Sequence, residues 1–306
     1  MSTAFIYPGQ GSQYVGMGES LYESYSEIKD LYTKANEILG FDIIKISFEG
    51  PDELLKQTYI TQPAIFVHSI AVTSIVKRKI DASSAAGHSL GEYSALVYSG
   101  AINFENGLNL VKIRGESMQE AGEHLKGTMA AIIGLDNDKT EKICEQASEF
   151  GVVQVANYNS PRQIVISGTV EGVKKAMELA YENKAKFVKQ LVVHGAFHSS
   201  LMESAKEKLK SALDSTIINK VGTPVYMNVD AKPITQNTGV NEIKKLLYKQ
   251  LTSSVRWEET VTNMINDGVN DFIELGPGRV LQGLVKRINN NVKVRGFEKT
   301  DDLKEL

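Results

Sequence analysis

A chain of 306 residues, 42% hydrophobic and 23% charged, has the composition of an ordinary globular protein and exceeds what one typical core serves. The formal net charge of −3 excludes the basic excess of a nucleic-acid binder, and no stretch combines low hydrophobicity with high charge as a disordered chain would. A single cysteine, Cys144, excludes an intrachain disulfide, the apolar N-terminal stretch is too short for a signal peptide, and no window approaches the ~20 apolar residues of a membrane span; the expectation is a cytoplasmic protein with no membrane partner.

In chain order, Ala4–Tyr7 reads as a buried strand ended by Pro8-Gly9-Gln10-Gly11-Ser12, a Gly-rich turn of the kind that faces ligands in α/β proteins. Helical patterns follow over 20–39 and 51–56. Thr61-Gln62-Pro63 then precedes Ala64–Val76, an apolar run too long for a strand and read as a buried helix. A strand ends just before Gly87, a helix starts just after Ser89, and a further helix spans 104–121 with Arg114 on it.

Between about 127 and 195 the pattern changes. Strands at 129–134, 152–157, 163–167 and 186–193 and helices at 139–150 and 170–183 come in the order β-α-β-β-α-β, which is that of ferredoxin-like domains. Cys144 falls on one of these helices, where a small core residue is the expected role. After the insert come helices at 199–213, 241–251 and 256–267, strands at 225–228 and 272–275, and a helix from Arg279. Residues 1–126 and 196–306 are therefore expected to form one α/β domain on a mostly parallel sheet, with 127–195 inserted as a small ferredoxin-like domain.

Gly87-His88-Ser89-Leu90-Gly91 fits the G-x-S-x-G nucleophile elbow, a turn so sharp that only small residues fit beside the serine. A serine hydroxyl needs a base to take its proton. His68 lies in the apolar helical run, His124 in a polar loop, and His88 is turned away from its neighbour across the elbow and is more plausible as a pocket wall. His194 and His198 bracket Gly195-Ala196-Phe197 where the chain leaves the insert, a natural cleft, and His198 is the modestly favoured base. No histidine follows it, unlike the late histidine of an α/β-hydrolase triad, and the candidate acidic members Asp136, Asp138 and Glu182 fall in the insert, so the reading leans to a Ser–His dyad held by something other than a carboxylate. A backbone carbonyl accepting from Nδ1 would leave Nε2 free for the serine proton. Arg114, in an amphipathic stretch one helix past the elbow, would select a substrate with a free carboxylate if it lined the pocket.

Across nearly the whole chain, the ordered segments Pro8–Gln13, Gly87–Tyr93, Arg114-Gly115, Met118-Gln119, Met129–Ala131, Asn157–Pro161, Phe197–Met202, Gln250-Leu251 and Glu274–Gly278 resemble the malonyl-CoA:acyl carrier protein transacylase family. The resemblance implies an α/β-hydrolase-like core and a malonyl transfer through acylated Ser89, with His198 as base and acid. It further implies an oxyanion hole of the Gln10 and Leu90 N–H groups, Arg114 on the malonyl carboxylate, and the Gln250 carbonyl orienting His198. His88, Asn157, Asn159 and Phe197 are further pocket candidates. Phe197, where some members carry serine, resembles the malonyl-selective Ala-Phe-His run of polyketide acyltransferases and implies little room for an α-methyl branch. The implied partners are coenzyme A thioester and a transient acidic acyl carrier protein; no bound cofactor or metal is implied, and a monomer is expected. Lys184, Lys186 and Lys189, or Lys286, Arg287, Lys293 and Arg295, are candidate docking clusters, merely solvated faces being the other reading of each. A discrete acyltransferase serving a polyketide synthase, a serine thioesterase and a silent carrier-binding scaffold are the rival readings.

Overall fold

The computed structural model describes residues 2–193, 195–304 and 306. Among these residues ten strands form two sheets: β1 (Ser2–Tyr7), β2 (Ser84–Gly87), β3 (Gly127–Ile133), β4 (Val153–Ser160), β5 (Gln163–Thr169), β6 (Phe187–Gln190), β7 (Val225–Tyr226), β8 (Pro233–Ile234), β9 (Val269–Leu275) and β10 (Lys293–Phe297). The larger sheet runs β10-β9-β1-β2-β7-β8, parallel throughout except for the edge pair of β7 and β8.

Side chains of a strand alternate between faces, and a parallel sheet is covered on both. Strand β1 obeys this: Phe5 and Tyr7 enter the main apolar cluster, whereas Ala4 and Ile6 enter a second cluster with Trp257, Phe272 and Leu281 on the opposite face. All four residues are fully buried, so the strand tips beside them, where Pro8 and Gly87 end β1 and β2, are held by core on two sides.

The smaller sheet, β4-β5-β3-β6, is antiparallel and is built entirely from the segment between residues 127 and 190. One face packs Ile132, Val155, Ile164 and Ile166 against the helices Asn137–Ala147 and Val170–Glu182 through Ile143, Cys144, Val173 and Ala176. Burial pushes the Cys144 thiol up to about 12, which makes it an inert core residue. Its other face contributes Met129 and Val165 to the main cluster. Strand β4 is tied to the segment after residue 250 by Tyr158 N–H to Val255 O, 2.9 Å, and Val255 N–H to Ala156 O, 2.8 Å.

Several elements differ from the sequence reading. The buried helix is Thr58–Val76, six residues longer at its start, with Pro63 inside it. Proline there removes one helical hydrogen bond, a loss offset by burying nearly every side chain of the helix. This helix is long and apolar enough to cross a membrane, contrary to the sequence reading, but most of its apolar stretch lies inside the fold. The pattern over 20–39 is two helices, Glu19–Ser24 and Ser26–Leu39, parted at extended Tyr25. The strand expected at 225–228 is only Val225–Tyr226, and that expected at 186–193 is only Phe187–Gln190. Strand β10, half exposed at the sheet edge, was not anticipated, because its polar faces give no buried-strand pattern.

Candidate active site

Strand β2 ends at Gly87, and the helix Gly91–Tyr98 starts four residues later. A Cβ on Gly87 would lie 1.8 Å from the Gly91 carbonyl carbon, and one on Gly91 would lie 2.1 Å from Tyr7 O, so both positions require glycine. Ser89 itself adopts φ 52°, a left-handed conformation that costs a non-glycine residue ~1–3 kcal/mol unless its surroundings hold it. The turn delivers its hydroxyl into a small cavity of about 100 Å³ lined by Gln10, Gln62, His88, Leu90, Arg114, Asn157, Phe197 and His198.

His198, 3% exposed, reaches the same cavity from the end of the 191–198 connection, also with a left-handed backbone at φ 59°. Its Nε2 is 2.8 Å from Ser89 Oγ, and its Nδ1 lies 2.9 Å from Gln250 O and 3.1 Å from Ser253 O. Carbonyls only accept, so the ring proton resides on Nδ1 and Nε2 presents its lone pair to the hydroxyl. No carboxylate touches the imidazole among the described residues. Burial, and then the Arg114 charge, push the His198 pKa down to about 3, so the ring is neutral and in its base form at neutral pH. The second carbonyl, from Ser253, was not anticipated: nothing local to that residue signals it. His194 lies outside the described residues.

Arg114 is 1% exposed on the helix Phe104–His124. Its Nη1 donates to Gln62 Oε1 at 2.7 Å, and its Nη2 donates to Gln250 Oε1 and to Ser89 Oγ, each at 2.9 Å. Its Cζ stands 5.7 Å from the centre of the Tyr93 ring. No ion pair with a carboxylate engages it among the described residues, so neutral amides hold a buried cation that Glu92 offsets only through space. Such a cation favours a ligand carboxylate strongly, because a buried charge without a counter-ion is costly. Gln62 escaped the sequence reading because the segment Thr61-Gln62-Pro63 looked like a helix boundary, whereas it lies one turn inside the helix, facing Arg114.

The backbone N–H groups of Gln10 and Leu90 engage no protein acceptor among the described residues, and both residues line the cavity beside Ser89. The N–H of Ser89 is occupied, donating to Asn228 Oδ1 at 2.7 Å. His88 points away from the Ser89 hydroxyl as a wall: its Nε2 meets Asn159 Oδ1 at 2.8 Å, and its ring lies 5.6 Å from that of Trp257. Burial lowers the His88 pKa as well. Phe197 is buried in the cavity wall, and Asn157 lines it from β4. A groove of about 260 Å³ adjoins the cavity and shares Gln10, His88, Asn157 and Leu191 with it. One of its walls is polar, with Asn159 and Gln163; the other is apolar, with Val280, Leu281 and Leu284. A wider depression of about 660 Å³ over Asp138, Glu141 and Glu258 holds none of the predicted site residues.

The basic clusters are exposed on two surfaces. Lys184 and Lys186 precede β6 and Lys189 lies on it, and Lys286, Arg287, Lys293 and Arg295 lie on β10 and the helix Val280–Ile288. Arg287 hydrogen-bonds Gln163 at the groove, and Arg295 pairs with Asp271 at 3.1 Å.

The arrangement can perform acyl transfer: a hydroxyl with a neutral base, unspent N–H donors beside it, and a buried cation for an anionic substrate group. Residues 4–297 match the family described as acyl transferase domain. The chain is similar to the malonyl CoA-acyl carrier protein transacylase of Bacillus subtilis, with 47% identity over 95% of this chain and 91% of that protein. Its counterpart in Escherichia coli strain K12 is 42% identical over 93% of this chain and 92% of that protein. The solved malonyl-CoA:acyl carrier protein transacylase of Xanthomonas oryzae superposes with a TM-score of 0.95 at 36% identity, over 99% and 96% of the two chains. A malonyl-transacylase solved in complex with a type II polyketide synthase acyl-carrier protein gives 0.94 at 38% identity, over 99% and 98%.

Proposed function

This chain belongs to the acyl transferase domain family, and on that premise we propose that it transfers a malonyl group from malonyl-CoA to the phosphopantetheine thiol of acyl carrier protein through a malonyl-Ser89 intermediate. The observation that carries the reading is the shared hydroxyl: Ser89 Oγ is within hydrogen-bond distance of a neutral base and of a buried cation at once.

In the first half-reaction Ser89 Oγ attacks the thioester carbonyl while its proton passes to His198 Nε2. The oxygen that gains charge lies against the Gln10 and Leu90 N–H groups, and Nδ1–H, held by the Gln250 and Ser253 carbonyls, keeps the ring aligned. Collapse of the tetrahedral species expels coenzyme A, which takes the proton back from His198. The carrier thiol then enters, loses its proton to His198, and attacks the Ser89 ester by the same steps. Throughout, Arg114 holds the malonyl carboxylate, and that carboxylate offsets the charge that depresses His198, raising its basicity only when the acyl group is anionic. Phe197 in the cavity wall favours malonyl over α-branched units by ~1–3 kcal/mol.

The pantetheine arm occupies the groove between the Asn157–Asn159 wall and the Val280–Leu284 wall, and Arg287 at its mouth meets the acidic carrier. Residues 1–126 and 196–306 act as an α/β-hydrolase-like catalytic domain and 127–195 as a ferredoxin-like inserted domain. The β4-β5-β3-β6 order supports that reading of the insert. We take the chain to act as a cytoplasmic monomer, and Ser–His acyl transfer itself calls for no bound cofactor. The similarity to a malonyl-transacylase solved with a polyketide carrier leaves the choice of pathway to the acceptor.

Intact-mass analysis tests the proposal. Incubation with malonyl-CoA should add one malonyl group, located on Ser89 by peptide mapping, and holo-carrier protein should remove it. An adduct lost to water at the same rate with or without carrier would identify a hydrolase instead.

A further inference from the structure

Strand β7 follows β2 in parallel register only as far as Ala86 opposite Tyr226. Two residues further on, the Asn228 side chain takes over where the ladder stops. Its Nδ2 donates to Gly87 O at 2.7 Å and its Oδ1 accepts from Ser89 N–H at 2.7 Å. A carboxamide has the same donor and acceptor as a peptide unit, and here it bridges the first residue of the elbow and the nucleophile itself. Asn228 is 1% exposed, and its own backbone N–H donates to Glu92 Oε2 at 2.6 Å. Glu92 is fully buried one turn beyond Ser89. The bonds therefore close a ring from Ser89 to Asn228 to Glu92 and back along the chain. Asn228 O in turn accepts from Arg256 N–H at 3.1 Å, which seats the residue from its other side.

We infer that Asn228 is a positioning residue for the nucleophile: its side-chain amide holds Ser89 in the strained turn and consumes the Ser89 N–H. The inference rests on Ser89 being the acylated residue. A left-handed serine persists only where its neighbours determine it, and this one is gripped on both sides. Asn228 binds its N–H, and Gln250 Nε2 donates to its carbonyl at 3.0 Å. With the Ser89 N–H occupied, the backbone donors left for a thioester oxygen beside Ser89, among the described residues, are the Leu90 and Gln10 N–H groups. The Asn228 bonds thus set the direction of the hydroxyl and the composition of the donor pair together. Among the described residues Asn228 hydrogen-bonds neither the hydroxyl nor the His198 ring, so it acts through the backbone of Gly87 and Ser89.

The test compares the parent with Asn228→Ala, which removes both bonds, and Asn228→Asp, which keeps an acceptor for Ser89 N–H but loses the donor to Gly87 O. Circular dichroism and thermal melting establish which variants fold. Each folded variant is assayed for kcat and KM with malonyl-CoA and for the rate at which a small fluorophosphonate labels Ser89. That label reads nucleophile placement without using the Arg114 site. We expect at least tenfold losses in kcat and labelling rate for Asn228→Ala, a smaller loss for Asn228→Asp, and KM within threefold of the parent for both. Should the alanine variant not fold, a loss beyond threefold in both rates for Asn228→Asp supports the inference. It is overturned if the most disruptive folded variant labels and turns over within threefold of the parent, or if kcat is kept while KM rises. Failure of the parent to be acylated at Ser89 would count against the transferase reading instead, and the two failures are distinguishable.

Discussion

Replacing Arg114 with alanine should invert the substrate preference of the site, and the size of the effect follows from the surroundings of the guanidinium. The group is 1% exposed and its donors meet two amides and the Ser89 hydroxyl, none of them charged. A bidentate pair with a malonyl carboxylate comprises two charge-assisted hydrogen bonds worth ~1.5–3 kcal/mol each, less the amide contacts given up. A net loss of about 3 kcal/mol corresponds to roughly a hundredfold fall in kcat/KM for malonyl-CoA. Acetyl-CoA has nothing to offer the cation, so its acylation should fall far less or rise, and the malonyl-to-acetyl ratio should drop by roughly two orders of magnitude. The assay is a quenched-flow acylation with the two thioesters in competition, Ser89 occupancy being read by intact mass. A ratio within threefold of the parent, in a variant that melts as the parent does, would refute the carboxylate role. A second signature accompanies it: the Arg114 charge is the second cause, after burial, of the low His198 pKa of about 3. Without that charge the imidazole pKa rises, so the acid limb of acetyl acylation moves to higher pH.

Two further outcomes follow. Gln62→Glu would set a carboxylate on Arg114 in place of a neutral amide at 2.7 Å; internal neutralisation should raise KM for malonyl-CoA by at least tenfold while kcat for acetyl changes less, and an unchanged KM would show that charge availability is not what Gln62 preserves. Burial pushes the Glu92 carboxyl from its ordinary 4.5 up to about 8. Between those values the folded chain keeps a proton that the unfolded chain has released, so stability falls as pH rises through that window. Glu92→Gln cannot ionise, and its melting temperature should gain on the parent from pH 5 to pH 8.5; a gap independent of pH would mean that Glu92 carries no proton in the fold.

Much of this site was readable along the chain. Gly87-x-Ser89-x-Gly91 demands small residues for a local steric reason, since the clashes arise within five residues and between adjacent strand ends. The lack of a histidine after His198 pointed to a carbonyl as the holder of its ring, and the structure places two there. The helix start at Thr58 was missed because the helix was taken to begin only after Pro63, although burial of the whole helix outweighs one lost hydrogen bond. With that boundary went Gln62, and with Gln62 the neutral setting of Arg114.

By itself the sequence determined the order of the buried strands and of most helices, the elbow, and the residue types that acyl transfer needs. These depend on backbone sterics and on periodic burial, which act over a few residues. Tertiary structure alone decided which distant groups touch them. Asn228 grips a serine 139 positions away, and Gln250 serves His198 with its carbonyl and Arg114 with its side chain. An asparagine after a two-residue strand carries no local mark of such a task. Its value comes from lying beside the end of β2, where the parallel ladder stops and a buried peptide still requires a partner.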